Sequence, residues 1–145
     1  MSGLAALLAE HNPPSVYQWH SAAPVADVQH AVEHAGWSFR YLDGWTLEDR
    51  ATFLKAAASA LELPDDTAES VEALSTSLAQ VDVAGRGLVV LWDGWSPLAR
   101  SDGATFEEVL HEFRRRAHTS DVGKLAVILR GEGPDLDVPE LPIKR

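Results

Sequence analysis

The spacing of apolar positions changes several times along the chain, and each change marks an element. Residues 3–10 carry a short helical pattern that Asn12-Pro13-Pro14 closes, because proline cannot continue a helix. Val16-Tyr17-Gln18-Trp19-His20 alternates as a short strand. Val25, Val28, Val32 and Ala35 return to helical spacing, and Gly36 stands where a helix ends in left-handed backbone. This opening segment is expected to be an accessory that covers an edge of the sheet. From Trp37 the pattern strengthens. Residues 38–42 read as a strand and Asp43-Gly44 as a turn. The helix that follows presents Leu47, Phe53, Leu54, Ala57 or Ala58, and Leu61, with Thr46 and Asp49 placed as a capping box. Leu63-Pro64 stops it, since the residue before a proline is pushed out of helical geometry. A second helix over about 69–81 has a thin stripe of Val71, Leu74, Leu78 and Val81.

Gly85-Arg86-Gly87 precedes Leu88-Val89-Val90-Leu91-Trp92, an apolar run without alternation, as expected for a central strand buried on both faces. After Asp93-Gly94 and a connection containing Pro97, a third helix is predicted from near Thr105. Glu108 completes a second capping box there, and Phe106, Val109, Leu110 and Phe113 form the buried face. Residues 125–129 form a third strand. The last segment holds three prolines and no period, so little regular structure is expected in it. Strands this apolar, separated by helices, predict an α/β fold: a small three-stranded parallel sheet flanked by helices, with an N-terminal helix/strand/helix extension. The expected organisation is an accessory extension over 1–36, the α/β domain over 37–130 and a flexible tail over 131–145.

Composition narrows the function. An apolar content of 46% in 145 residues is enough for the interior of one domain and would starve a second. A net charge of −10 opposes binding to nucleic-acid phosphates or to an anionic membrane surface and favours a basic protein as partner. Without cysteine the chain has no disulfide framework and no thiolate metal site, which fits a reducing cytoplasm. The apolar run at 4–9 is too short to span a bilayer and no base precedes it, so a soluble, unexported protein is expected. The charge is also uneven. The 30 residues between Lys55 and Arg86 contain no Lys, Arg or His but six acids: Glu62, Asp65, Asp66, Glu69, Glu72 and Asp82. Such a stretch attracts basic partners.

Few residue patterns suggest catalysis. His30-Ala31-Val32-Glu33-His34 has the H-x-x-E-H spacing that lets two histidines hold zinc while a glutamate activates water, but no third ligand is evident, and amphipathic-helix histidines are the simpler reading. Asp43-Gly44-Trp45-Thr46 and Asp93-Gly94-Trp95-Ser96 echo each other just past two strands, where parallel sheets bind ligands. The pair could act in acid–base chemistry or hold Mg²⁺, against the plainer reading that Asp-Gly is turn chemistry and Trp covers the sheet end. A small metal-dependent hydrolase is thus the remote alternative. Arg114-Arg115-Arg116 reads as a solvated helix end. The chain lacks a nucleophile elbow, a phosphate-binding Walker loop and a dinucleotide-binding glycine pattern. No cofactor is expected, and the protein is not expected to be an enzyme.

Several segments together resemble the barstar family of intracellular barnase-type ribonuclease inhibitors. They are Phe39-Arg40-Tyr41-Leu42-Asp43-Gly44, Ala60-Leu61-Glu62-Leu63-Pro64, Glu72-Ala73-Leu74, Gly87 to Trp92, and Leu125 to Leu129. The resemblance covers about 37–130. It implies a three-stranded parallel sheet and a non-enzymatic inhibitor or antitoxin whose acidic loop-helix plugs the basic active site of a nuclease or related toxin. In the family that loop has two aromatics, Gly, Asn, an acid, Ala-Leu, Trp and Asp. Here Asp66 and Thr67 hold the aromatic positions, Ala68 that of Gly, Ser70 that of Asn, and Glu72 that of the acid. Ser75 and Thr76 replace Trp and Asp. The partner-binding residues implied are Asp65, Asp66, Thr67, Glu69, Glu72, Ser75 and Thr76. A divergent member with a non-nuclease partner is the alternative.

Overall fold

The computed structural model describes residues 3–81, 83, 85–119 and 123–142. In chain order they form α1 (Gly3–Leu8), β1 (Val16–Trp19), α2 (Val25–His34), β2 (Ser38–Asp43) and α3 (Arg50–Ala60), then a 3-10 turn (Asp65–Glu69) and α4 (Val71–Ala79). β3 (Leu88–Asp93), α5 (Ser96–Ser101), α6 (Gly103–Ala117), β4 (Leu125–Arg130) and β5 (Glu140–Leu141) complete the fold. The sheet has the order β2-β3-β4-β1-β5, and all its ladders are parallel.

Five strands stand where three were expected. β2, β3 and β4 form the predicted unit, and β1 from the extension pairs along the β4 edge with Val16 opposite Val127. The segment after Gly131, expected to hold little regular structure, supplies β5. This strand is two residues long, below the length at which a period can be read, and it is held by Gln18 Nε2 donating to the Val138 carbonyl at 2.7 Å.

Alternation along the strands sorts side chains onto two faces and so makes two cores. Leu42, Leu88, Val90, Trp92, Val127 and Leu129 meet α3, α4, α5 and α6 on one face. Phe39, Val89, Leu91, Ala126 and Ile128 meet Leu4, Leu7 and Leu8 of α1 and Val28 and Val32 of α2 on the other. β3 is buried at every position, in accord with its unbroken apolar run.

Both predicted capping boxes are displaced. Asp49 itself caps α3, accepting from Thr52 N at 2.9 Å, and Asp102 caps α6, accepting from Thr105 N at 3.2 Å. An aspartate that starts the helix satisfies the free amides directly, so the threonine–acid pairs need not do so. The connection containing Pro97 is the helix α5, with Pro97 in its first turn where no amide bond is lost. Arg116, expected on a solvated helix end, is buried. Its position three residues after Phe113 and seven after Val109 keeps it on the apolar stripe. Its Nε donates to the Leu78 carbonyl at 2.8 Å, closing the carboxyl end of α4, and burial holds its pKa below that of ordinary arginine.

Candidate functional site

The acidic stretch is shaped by how α3 ends. Glu62 takes left-handed backbone (φ 54°), Glu62 N reaches the Ser59 carbonyl at 3.2 Å and Leu63 N the Ala58 carbonyl at 2.8 Å. These two bonds are those of a Schellman closure, with a glutamate where glycine is usual. Pro64 then sets up the 3-10 turn, Thr67 N bonding back to its carbonyl at 3.0 Å. Ser70 is fully extended, which separates this turn from α4, and its hydroxyl accepts from Ala73 N at 2.9 Å. The predicted helix over 69–81 is therefore two elements, broken by its own capping residue.

Asp65, Asp66, Glu69 and Glu72 are all exposed on this turn and the first turn of α4. Glu72 also lies where negative charge suits the helix dipole. Thr67 is not at the surface: it is 0% exposed, and its hydroxyl lies 2.6 Å from that of Ser77. A threonine at this position can bury its methyl and satisfy its hydroxyl on α4, so it anchors the turn instead of facing a partner. Ser75 is half-buried and accepts from Arg115 Nη2 at 2.8 Å. Thr76 is exposed, with its hydroxyl donating to the Glu72 carbonyl at 3.1 Å. The structure thus groups the four acids and Thr76 outward, separates Thr67 from them, and ties Ser75 to α6. Of the remaining acids, Glu62 pairs with Arg40 at 2.5 Å, and Asp82 lies outside the described residues.

Packing brings further charges to this surface that come from distant sequence. Glu72, Ser70 and Val71 share a groove of about 580 Å³ with Glu107, Glu108 and Glu112 of α6. Arg50 lies in it too, with Nη2 3.0 Å from the Glu108 carboxylate and Nε donating to Thr105 Oγ1 at 3.0 Å. Lys55 and Asp65 line a neighbouring groove between α3 and the turn. The stretch free of basic residues in sequence is bordered in space by Arg50, Lys55 and Arg115, and its acidic character is carried on by α6. Glu107, Glu108 and Glu112 are plain in the sequence, but nothing local to that helix signals that they meet Glu72.

The two Asp-Gly-Trp segments lie side by side at the carboxyl end of the sheet, with Asp43 opposite Asp93 in the ladder. Their roles differ. Asp43 is exposed and accepts from Trp45 N at 3.2 Å, which is turn chemistry. Asp93 is buried and grips Arg130 with both oxygens, at 2.6 Å to Nε and 2.9 Å to Nη2, while accepting from the Tyr41 hydroxyl at 3.0 Å. Arg130 in turn donates to the Ala23 carbonyl at 2.7 Å and lies over the Trp19 ring. Asp93 therefore holds structure together, and its partners occupy the oxygens that catalysis would need. His30 and His34 stack on each other on α2, and among the described residues no group of three or more His, Cys, Asp or Glu is gathered to hold a metal ion.

Burial, the bond to Asp93 and the charges of Asp93 and Asp43 push the Tyr41 phenol up to about 12. The fold thus favours neutral Tyr41. In the unfolded chain a phenol titrates near 10, so this contribution is complete below about pH 10 and is lost as pH rises towards 12. Tyrosinate absorbance is expected to appear together with loss of the fold in that interval, and Tyr41→Phe to delay the alkaline transition. Burial also raises the other tyrosine, Tyr17. A folded protein with a tyrosinate midpoint near 10 would contradict this account.

No helix among the described residues is long and apolar enough to cross a membrane. A comparison with curated proteins found no match. The family model described as Barstar (barnase inhibitor) matches residues 37–129, from just before β2 into the end of β4, and so spans the turn, α4 and the three-strand unit. Proteins of that family are inhibitors of ribonucleases and not enzymes. With well over half of its length matched, the chain belongs to the barstar family.

Proposed function

We propose that this protein is a non-enzymatic cytoplasmic inhibitor that neutralises a basic ribonuclease or related toxin through the acidic 3-10 turn and the start of α4. The observation that carries the reading is the common outward exposure of Asp65, Asp66, Glu69 and Glu72 on a turn anchored from within by the Thr67–Ser77 contact. Acids so arranged steer a basic partner during encounter, and the anchored backbone lowers the entropy lost on docking. Changing Asp66, Glu69 and Glu72 to Lys in the full-length protein tests it, with affinity measured against a panel of basic microbial ribonucleases. Binding is expected to fall by at least about tenfold, mainly through slower association, and to lose most of its salt dependence. A nuclease that binds the triple variant as tightly as the native protein would remove these residues from the site.

A second reading keeps the fold and surface but gives it a partner that is not a nuclease. It is favoured by Ser75, which stands at the family's Trp position and is hydrogen-bonded to Arg115. A base beside the centre of the surface suits a different partner from one that inserts its own positive charge there.

A further inference from the structure

Trp45 is the one large hydrophobic side chain left exposed among the described residues, at 52%. Its position is built. A Cβ at Gly94 would stand 2.5 Å from the indole Cδ2 and one at Gly131 would stand 3.0 Å from Cη2, so the ring rests on two glycines at the ends of β3 and β4. Both glycines have positive φ, 73° and 124°, a conformation that excludes most side chains from this floor. The backbone beneath is pinned, with Gly44 N donating to the Asp93 carbonyl at 2.7 Å and Gly94 N to the Arg130 carbonyl at 2.8 Å. The indole is therefore backed by this glycine floor while about half of the residue stays open to solvent.

Gly131 also borders a cavity of about 390 Å³ lined by Glu132, Asp135 and Glu140. Trp95 walls it and donates its indole N–H to the Gly131 carbonyl at 3.2 Å. Among the described residues no Lys or Arg lines this cavity, and His20, which does, is 3.0 Å from Glu140. A fixed aromatic face next to a carboxylate-lined hollow is complementary to a planar cation, which stacks on the ring and bonds carboxylates in pairs.

We propose that Trp45 and this hollow form a second contact patch for a basic protein, with an arginine of that partner lying across the indole and reaching Glu132 and Asp135. Arginine fits better than lysine because its flat guanidinium both stacks and forks. Arg50, which opens α3 five residues after Trp45, lines the groove that contains Glu72. The proposal shares with the proposed function only the basic partner and rests on other residues.

The test is titration of the ¹⁵N-labelled full-length protein with hexa-arginine amide, with hexa-lysine and hexa-glutamate as controls, followed by nuclear magnetic resonance. The Trp45 indole N–H and the amides of 131–135 are expected to shift with hexa-arginine, less with hexa-lysine and not with hexa-glutamate. Trp45→Ala is expected to weaken hexa-arginine binding about tenfold while the remaining amides keep their native positions. Glu132→Gln with Asp135→Asn should weaken it similarly, with the indole signal of the free protein unmoved. Shifts confined to 65–72, with the indole and 131–135 silent, would overturn the patch and leave the acidic turn as the basic-ligand surface. Shifts at the patch with 65–72 silent would uphold it and count against the turn. Silence at both would reject both.

Discussion

A chain shortened to residues 37–145 is expected to lose its cooperative fold, although it retains the whole segment matched to the family. Removing the extension takes away Leu4, Leu7, Leu8, Val28 and Val32, which cover the second face of the sheet, and also β1, which joins β5 to β4. Each such side chain contributes about 1.5–3 kcal/mol when fully buried. Together the five are comparable to the whole net stability of a typical domain, about 5–15 kcal/mol. Phe39, Val89, Leu91, Ala126 and Ile128 would then face water as one apolar surface. The shortened chain should be aggregated or molten, with strong binding of a hydrophobic dye and no sharp thermal transition. A monomeric 37–145 chain that melts cooperatively near the full-length temperature would show that α1 and α2 are dispensable.

The second large effect is expected at Asp93. Asp93→Asn should lower stability by about 3–5 kcal/mol in urea unfolding, because it leaves the Arg130 guanidinium largely buried without its countercharge. The carbonyls of Ser21 and Ala23 would still accept from Arg130, but they carry no formal charge to balance it. Asp43→Asn, one strand away at the same register, should change stability by no more than about 0.5 kcal/mol, since its carboxylate is exposed and its acceptor role passes to the amide oxygen. A catalytic pair would give the reverse pattern: two stable variants that both lose an activity. Equal unfolding midpoints for native protein and Asp93→Asn would refute the structural role.

Much of this architecture was readable because its signals are local. The β3 run reads as a doubly buried strand with no knowledge of its neighbours, since the apolar residues must be covered on both faces. The break at Leu63-Pro64 and the shift from helical to extended spacing around Trp37 rest on short-range sterics and periodicity in the same way. The acidic character of 65–72 was likewise plain from side-chain identity.

What failed to show involved residues whose meaning depends on a partner far along the chain. β5 is invisible in sequence because two residues have no period, and it exists as a strand only because Gln18 and Trp19 stand beside it. Thr67 reads as a surface loop residue until Ser77 comes within 2.6 Å of it. Asp43 and Asp93 have matching sequence surroundings, and only Arg130 and Tyr41 make one of them a buried ion-pair centre.

The α/β class, the three central strands, the family and the acid-rich turn follow from the order of residues, because backbone propensity, periodicity and charge are properties of neighbours along the chain. The two outer strands, the covering of the second sheet face, the inward turn of Thr67 and the joining of α6 acids to the acidic surface arise only on folding. Those outcomes depend on which side chains meet across tens of residues, and contact of that kind is set by packing of the whole chain.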